Sequence, residues 1–112
     1  MAHDEDLALR LRAALADRDA VTEKRMFGGL AFLVHGHMAV CASGTGGLLV
    51  RVDPATSAAL VEQQGVERMV MGGREMDGWL RVATAQLEDD AALRAWVDRG
   101  LAVVAGLPPK GA

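Results

Sequence analysis

Between residues 25 and 52 the chain runs through three short apolar segments, Arg25–Val34, Met38–Ala42 and Leu48–Val52, separated by the turn-forming His35-Gly36 and by Ser43-Gly-Thr-Gly-Gly47. A two-residue turn at His35-Gly36 makes the first two segments an antiparallel hairpin. In the third, Leu48, Val50 and Val52 share one face and Leu49 and Arg51 the other. The first segment is apolar on both alternating faces, as expected of a strand covered on both sides for part of its length. Such a sheet needs shelter, and the flanking sequence supplies helices.

Leu7, Leu11, Ala14 and Leu15 form a stripe that predicts a helix from Asp4 to about Arg18, with His3-Asp4-Glu5-Asp6 stabilising its positive N-terminal end. Asp53-Pro54 is a helix start, because Asp caps and Pro tolerates the first position. That helix is expected to reach Gln64 and end at Gly65, packing through Ala58, Leu60 and Val61. Met69–Met71 and Met76–Ala83 read as two further strands around Gly72-Gly73-Arg74-Glu75, with Asp77-Gly78 a candidate bulge or tight turn. From Glu88-Asp89-Asp90 a last helix presents Leu93, Trp96, Val97, Leu101 and Val104 on one face. Its Gly100 is unfavourable in a helix interior, which implies close packing there. Residues 1–107 thus read as one domain of order α-β-β-β-α-β-β-α, and 108–112, with Pro108-Pro109, as a flexible tail. The class is α+β, two layers, with a mostly antiparallel sheet and helices mainly on one face.

Composition narrows the function classes. With 112 residues the chain is the size of one domain and needs no disulfide or metal to fold. Cys41 is the single cysteine, and no Cys/His spacing fits a metal site, so neither metal nor cofactor is expected. The acidic N-terminus and short apolar runs give no signal peptide or membrane span, and a cytoplasmic location is expected. The net charge is −3, and the arginines are interleaved with acids. Direct nucleic-acid binding is therefore disfavoured, unless arginines converge after folding.

Arg25-Met26-Phe27-Gly28-Gly29 is the most distinctive motif. Two glycines in an apolar strand mark a bulge or a close backbone approach. The segment is a candidate interaction motif anchored by Arg25, or a bend over which Phe27 enters the core. The alternative function is an enzyme or small-molecule binder that uses His35, His37 and Cys41, or a pocket between helix and sheet. The histidines flank a turn while the thiol lies in an apolar strand, so a catalytic role is not expected. Ser43–Gly47 lacks the lysine and following helix of a phosphate loop and reads as a hairpin loop. Trp96 belongs to the core, Trp79 is open to either face, and Met69, Met71 and Met76 are read as core gap-fillers in preference to an adaptable interaction surface.

Lys24-Arg-Met-Phe-Gly-Gly29, the His35-Gly-His-Met38 hairpin, Leu49-Val-Arg-Val-Asp53 before a helix, and a terminal helix with Trp96 together resemble the N-terminal domain of the TfoX/Sxy competence-regulator family. The resemblance spans nearly the whole chain. It implies an α-β(3)-α-β(2)-α fold similar to secretion chaperones and YjbR-like proteins. It also implies a regulatory, non-enzymatic module: full-length members carry a second, helical domain and act as co-activators with a cyclic-AMP-responsive transcription factor. No active-site residues transfer. On the residues alone, apolar strand surface exceeds what three helices can cover, so the expected function is protein interaction, first of all as a homodimer.

Overall fold

The computed structural model describes residues 5–18, 20–26, 28–44 and 46–107, the side chains at positions 71 and 77 excepted. The expected tail at 108–112, the N-terminal His3-Asp4 and the placement of Phe27 lie outside the described residues. In chain order come α1 (Glu5–Ala14), β1 (Val21–Met26), β2 (Gly29–Val34), β3 (His37–Ala42), β4 (Leu48–Arg51), α2 (Pro54–Leu60), β5 (Val66–Met71), β6 (Arg74–Val82), a 3-10 turn (Thr84–Leu87) and α3 (Asp90–Ala105). The strands form one antiparallel sheet in the order β1-β2-β3-β4-β6-β5. The α+β class is as expected.

The strand count is not. Arg25–Val34 is two strands rather than one, joined across residues 27 and 28, so four strands precede α2 instead of three. Gly28 takes φ +71°, a left-handed conformation that glycine adopts without steric cost and that lets the chain reverse. Thr22–Arg25 in β1 are all exposed, so this edge strand carries no apolar alternation by which it could be recognised. The turn at His35-Gly36 forms as expected, with both residues at positive φ.

Helix α2 ends at Leu60, four residues before the expected Gln64. Asp53 caps it, its carboxylate accepting the Ala55 N–H at 3.0 Å. Its inward face is Ser57 and Leu60 rather than Ala58, which is exposed. The Ser57 hydroxyl donates to the Pro54 carbonyl and accepts from Arg68, so this buried polar group is satisfied. From 61 to 65 Val61 alone packs, partly, against the core, and little remains to hold further helical turns together. β5 and β6 are longer than expected, taking in Val66–Arg68 and Arg74–Glu75, and close on a turn of Gly72-Gly73 alone.

Alternate strand residues sort into two apolar clusters. The larger joins Leu30, Phe32, Val40, Val50, Leu80 and Val82 to residues of all three helices, among them Leu11, Leu60, Trp96 and Val97. The smaller is Ala31, Cys41, Leu49 and Met69, ringed by partly buried Met26, Leu33, Met38 and Trp79. Among the described residues it contains no helical one. Helix α3 lies directly on the sheet: a Cβ at Gly100 would stand 2.6 Å from the Ala39 carbonyl oxygen. Ala39 sits where the β2–β3 register shifts, and the expected close approach at Gly100 is realised there.

Ala at position 100 gains about 1 kcal/mol of helix propensity but forces α3 off the sheet, and overpacking of this kind costs about 1–3 kcal/mol. Gly100→Ala is therefore expected to lower the urea midpoint; a raised midpoint would show that α3 sits farther away.

Candidate functional site

The strongest candidate is the sheet face that carries the smaller cluster. Register builds it row by row. Lys24 pairs with Ala31, Ala31 with Cys41, Cys41 with Leu49, Leu49 with Arg81 and Arg81 with Glu67, so one cross-strand row runs the width of the sheet with cations near both ends. Beside it Leu33 pairs with Met38, and Arg51 with Trp79. The Arg51 guanidinium lies over the Trp79 ring, 4.8 Å from its centroid, a cation–π contact that shelters part of the indole. Arg81 donates to the Ser43 hydroxyl at 3.2 Å. The centre of the face is thus dry, while Met26, Leu33, Met38 and Trp79 around it keep some solvent contact. In a chain of net charge −3 this face presents Lys24, Arg51 and Arg81, and also Arg74 two residues before Met76 on β6, against Glu67 alone among its described side chains.

The Arg25–Gly29 motif divides between the two sides of the sheet. Arg25 pairs with Leu30 and is exposed in a shallow groove of about 410 Å³ between α1 and β1, with Leu9, Arg12 and Glu23. Met26 packs on the opposite, helix-free side. Phe27 lies outside the described residues. A Cβ on Gly29 would collide with the Ala42 carbonyl oxygen and fall 2.9 Å from the Gly44 nitrogen. This is the backbone contact anticipated from the glycine pair, and it seats the β1–β2 turn against the β3–β4 loop. In the groove, Arg12 grips Glu23 with two hydrogen bonds of 2.7 and 2.8 Å and holds its carboxyl below the usual carboxylate range.

His35, His37 and Cys41 do not converge. His35 occupies the exposed turn at φ 52°. His37 pairs with Val34, a residue of the helix-covered face, whereas Cys41 pairs with Ala31 and Leu49 on the other. The thiol is fully buried, its sulfur 3.6 Å from the Ala42 carbonyl oxygen, and burial pushes its pKa up to about 11 despite nearby Arg81. A thiol so placed is a poor nucleophile. Among the described residues no group of three His, Cys, Asp or Glu could hold a metal ion, and no helix is long and apolar enough to cross a membrane.

Sequence reading missed the row of cations. Lys24, Arg51 and Arg81 are far apart in the chain, and only strand register brings them to one face. The alternation Leu49, Arg51 against Leu48, Val50 was the one visible signal.

The model of the TfoX N-terminal domain matches residues 13–104. Comparison with curated proteins and with solved structures gave no match.

Two outcomes check this geometry. Iodoacetamide at mildly alkaline pH should leave native Cys41 unmodified and alkylate it once urea unfolds the chain; rapid native labelling would contradict the buried thiol. Because the folded Glu23 pKa is depressed, its pair with Arg12 stabilises the fold above the unfolded-state pKa and is lost as pH falls through the folded one. Glu23→Gln should therefore flatten the acid limb of stability slightly, as fits an exposed pair, and leave neutral-to-alkaline pH dependence unchanged.

Proposed function

The chain belongs to the TfoX N-terminal domain family, and from that premise we propose that it is a non-enzymatic regulatory module of the cytoplasm that works by protein contact, as a homodimer, with the helix-free sheet face as its docking surface. The observation that carries this reading is the smaller apolar cluster, whose ring of Met26, Leu33, Met38 and Trp79 has no helix over it among the described residues. An apolar centre within a rim of Lys24, Arg51 and Arg81 suits a polypeptide with apolar side chains flanked by carboxylates. A transcription factor, the partner class implied by the family resemblance, is the kind of protein meant. The Arg25–Gly29 turn takes part through Met26, with Gly28 and Gly29 setting the hairpin against its neighbour.

Catalysis has no support in the placement of His35, His37 and Cys41. Direct nucleic-acid binding has little, since four cations on a chain of net charge −3 neutralise few phosphates.

An anionic apolar dye, 8-anilinonaphthalene-1-sulfonate, serves as the probe for the face. The native chain is expected to enhance its fluorescence, and Met38→Lys, with unchanged circular dichroism, to reduce that enhancement severalfold. Sedimentation should give a species of twice the 11.8 kDa chain mass. No dye enhancement together with only an 11.8 kDa species would overturn the proposal.

A further inference from the structure

The sheet has two edges, β1 and β5, each with one neighbouring strand. They are built differently. β1 carries Glu23, Lys24 and Arg25 in succession, all exposed, and consecutive charges on an edge deter pairing with another chain. β5 has its charges at Glu67 and Arg68 and ends on Met69-Val70-Met71 before Gly72-Gly73. Val70 is 59% exposed, and with Leu9 it is one of two large apolar side chains so exposed among the described residues. The Ala83 N–H donates to the Gly65 carbonyl at 2.8 Å, so residue 65 faces β6. The β5–β6 register shifts between Arg68 and Met69, but Met71 and Arg74 close the two-residue Gly72-Gly73 turn, and with residue 71 facing β6 the N–H and C=O of Val70 point away from it.

We infer that β5 is the surface through which two copies of this chain associate, the strands pairing antiparallel about a two-fold axis at Met69, so that the two sheets become one. This rests on the homodimer reading above and names its surface. The register follows from symmetry and chemistry. A two-fold axis normal to the sheet keeps each face on its own side, so it must pass through a residue position. Centred on Arg68 it sets two guanidiniums opposite each other, and centred on Glu67 two carboxylates, both destabilising. Centred on Val70 it shortens the overlap at the Gly72 turn. Centred on Met69 it overlaps residues 67–71 with no like charges opposed and places Val70 in the joined sheet. Met69 is the member of the smaller cluster contributed by the edge strand, so Met69 against Met69 also makes the helix-free faces of the two copies continuous. A strand pair this short lies at the weak end of the interface range.

The test is sedimentation equilibrium of the full chain at concentrations up to the order of 100 μM, with three variants checked for native circular dichroism. Val70→Lys, at an exposed position, is expected to raise the dimer dissociation constant about tenfold or more. Leu9→Lys, at the other large exposed apolar side chain, should leave it within about twofold. Met69→Cys should form a disulfide-linked dimer on mild oxidation, whereas the wild type, with Cys41 buried, should not. A dimer that survives Val70→Lys, or fails to cross-link through position 69, overturns the β5 assignment while homodimerisation stands. A wild type that is monomeric throughout overturns both.

Discussion

A strand that is apolar on both faces must be covered on both, and among the described residues the three helices pack into only one of the two apolar clusters. That inequality organises the structure. β2, β3 and β4 lie at the centre of the sheet and are buried nearly throughout, and their alternate residues feed the two clusters: Leu30, Phe32, Val40, Val50 toward the helices, and Ala31, Cys41, Leu49 away from them. On the helix side the contact is close enough that α3 tolerates only Gly at position 100, over the Ala39 carbonyl. On the other side the cover is improvised from half-buried methionines, Leu33 and a tryptophan beneath Arg51. Small residues at the centre of that face, Ala31 and Cys41, let their neighbours close over them. The patch left to a partner is consequently a ring around a dry centre, smaller than the bare sheet surface that the sequence implies.

The same inequality separates structural from chemical roles. Cys41, the residue with the most chemical potential, sits at the dry centre, where burial raises its pKa to about 11. The cations that give the face its character, Lys24, Arg51 and Arg81, lie at the strand positions where long side chains can lay their stems over apolar neighbours and keep their charges wet. A recognition surface of this kind selects partners by shape and charge, with no reacting group required.

Much of this was legible from the chain. The α3 stripe, the His35-Gly36 turn, the Asp53 cap, the faces of β4 and the close approach at Gly100 all follow from local rules that tertiary context did not override. Other features were not legible, for identifiable reasons. β1 escaped notice because an exposed, charged edge strand has no hydrophobic period. The split of Arg25–Val34 depended on Gly28 being a turn residue rather than a bulge, and an apolar run with paired glycines is compatible with both. Helix α2 stopped early because burial, rather than propensity, set its length. The grouping of Lys24, Arg51 and Arg81 needed strand register, which is a property of pairing partners and not of any one segment.

Hydroxyl-radical footprinting of the free chain addresses the helix-free face most directly, because each copy carries its own internal standards. Met38 and Trp79 should be oxidised markedly faster than Met69 and Trp96, which the fold encloses. If Met38 and Trp79 are as protected as Trp96, the face is already sheltered by the chain itself and offers nothing for another polypeptide to cover.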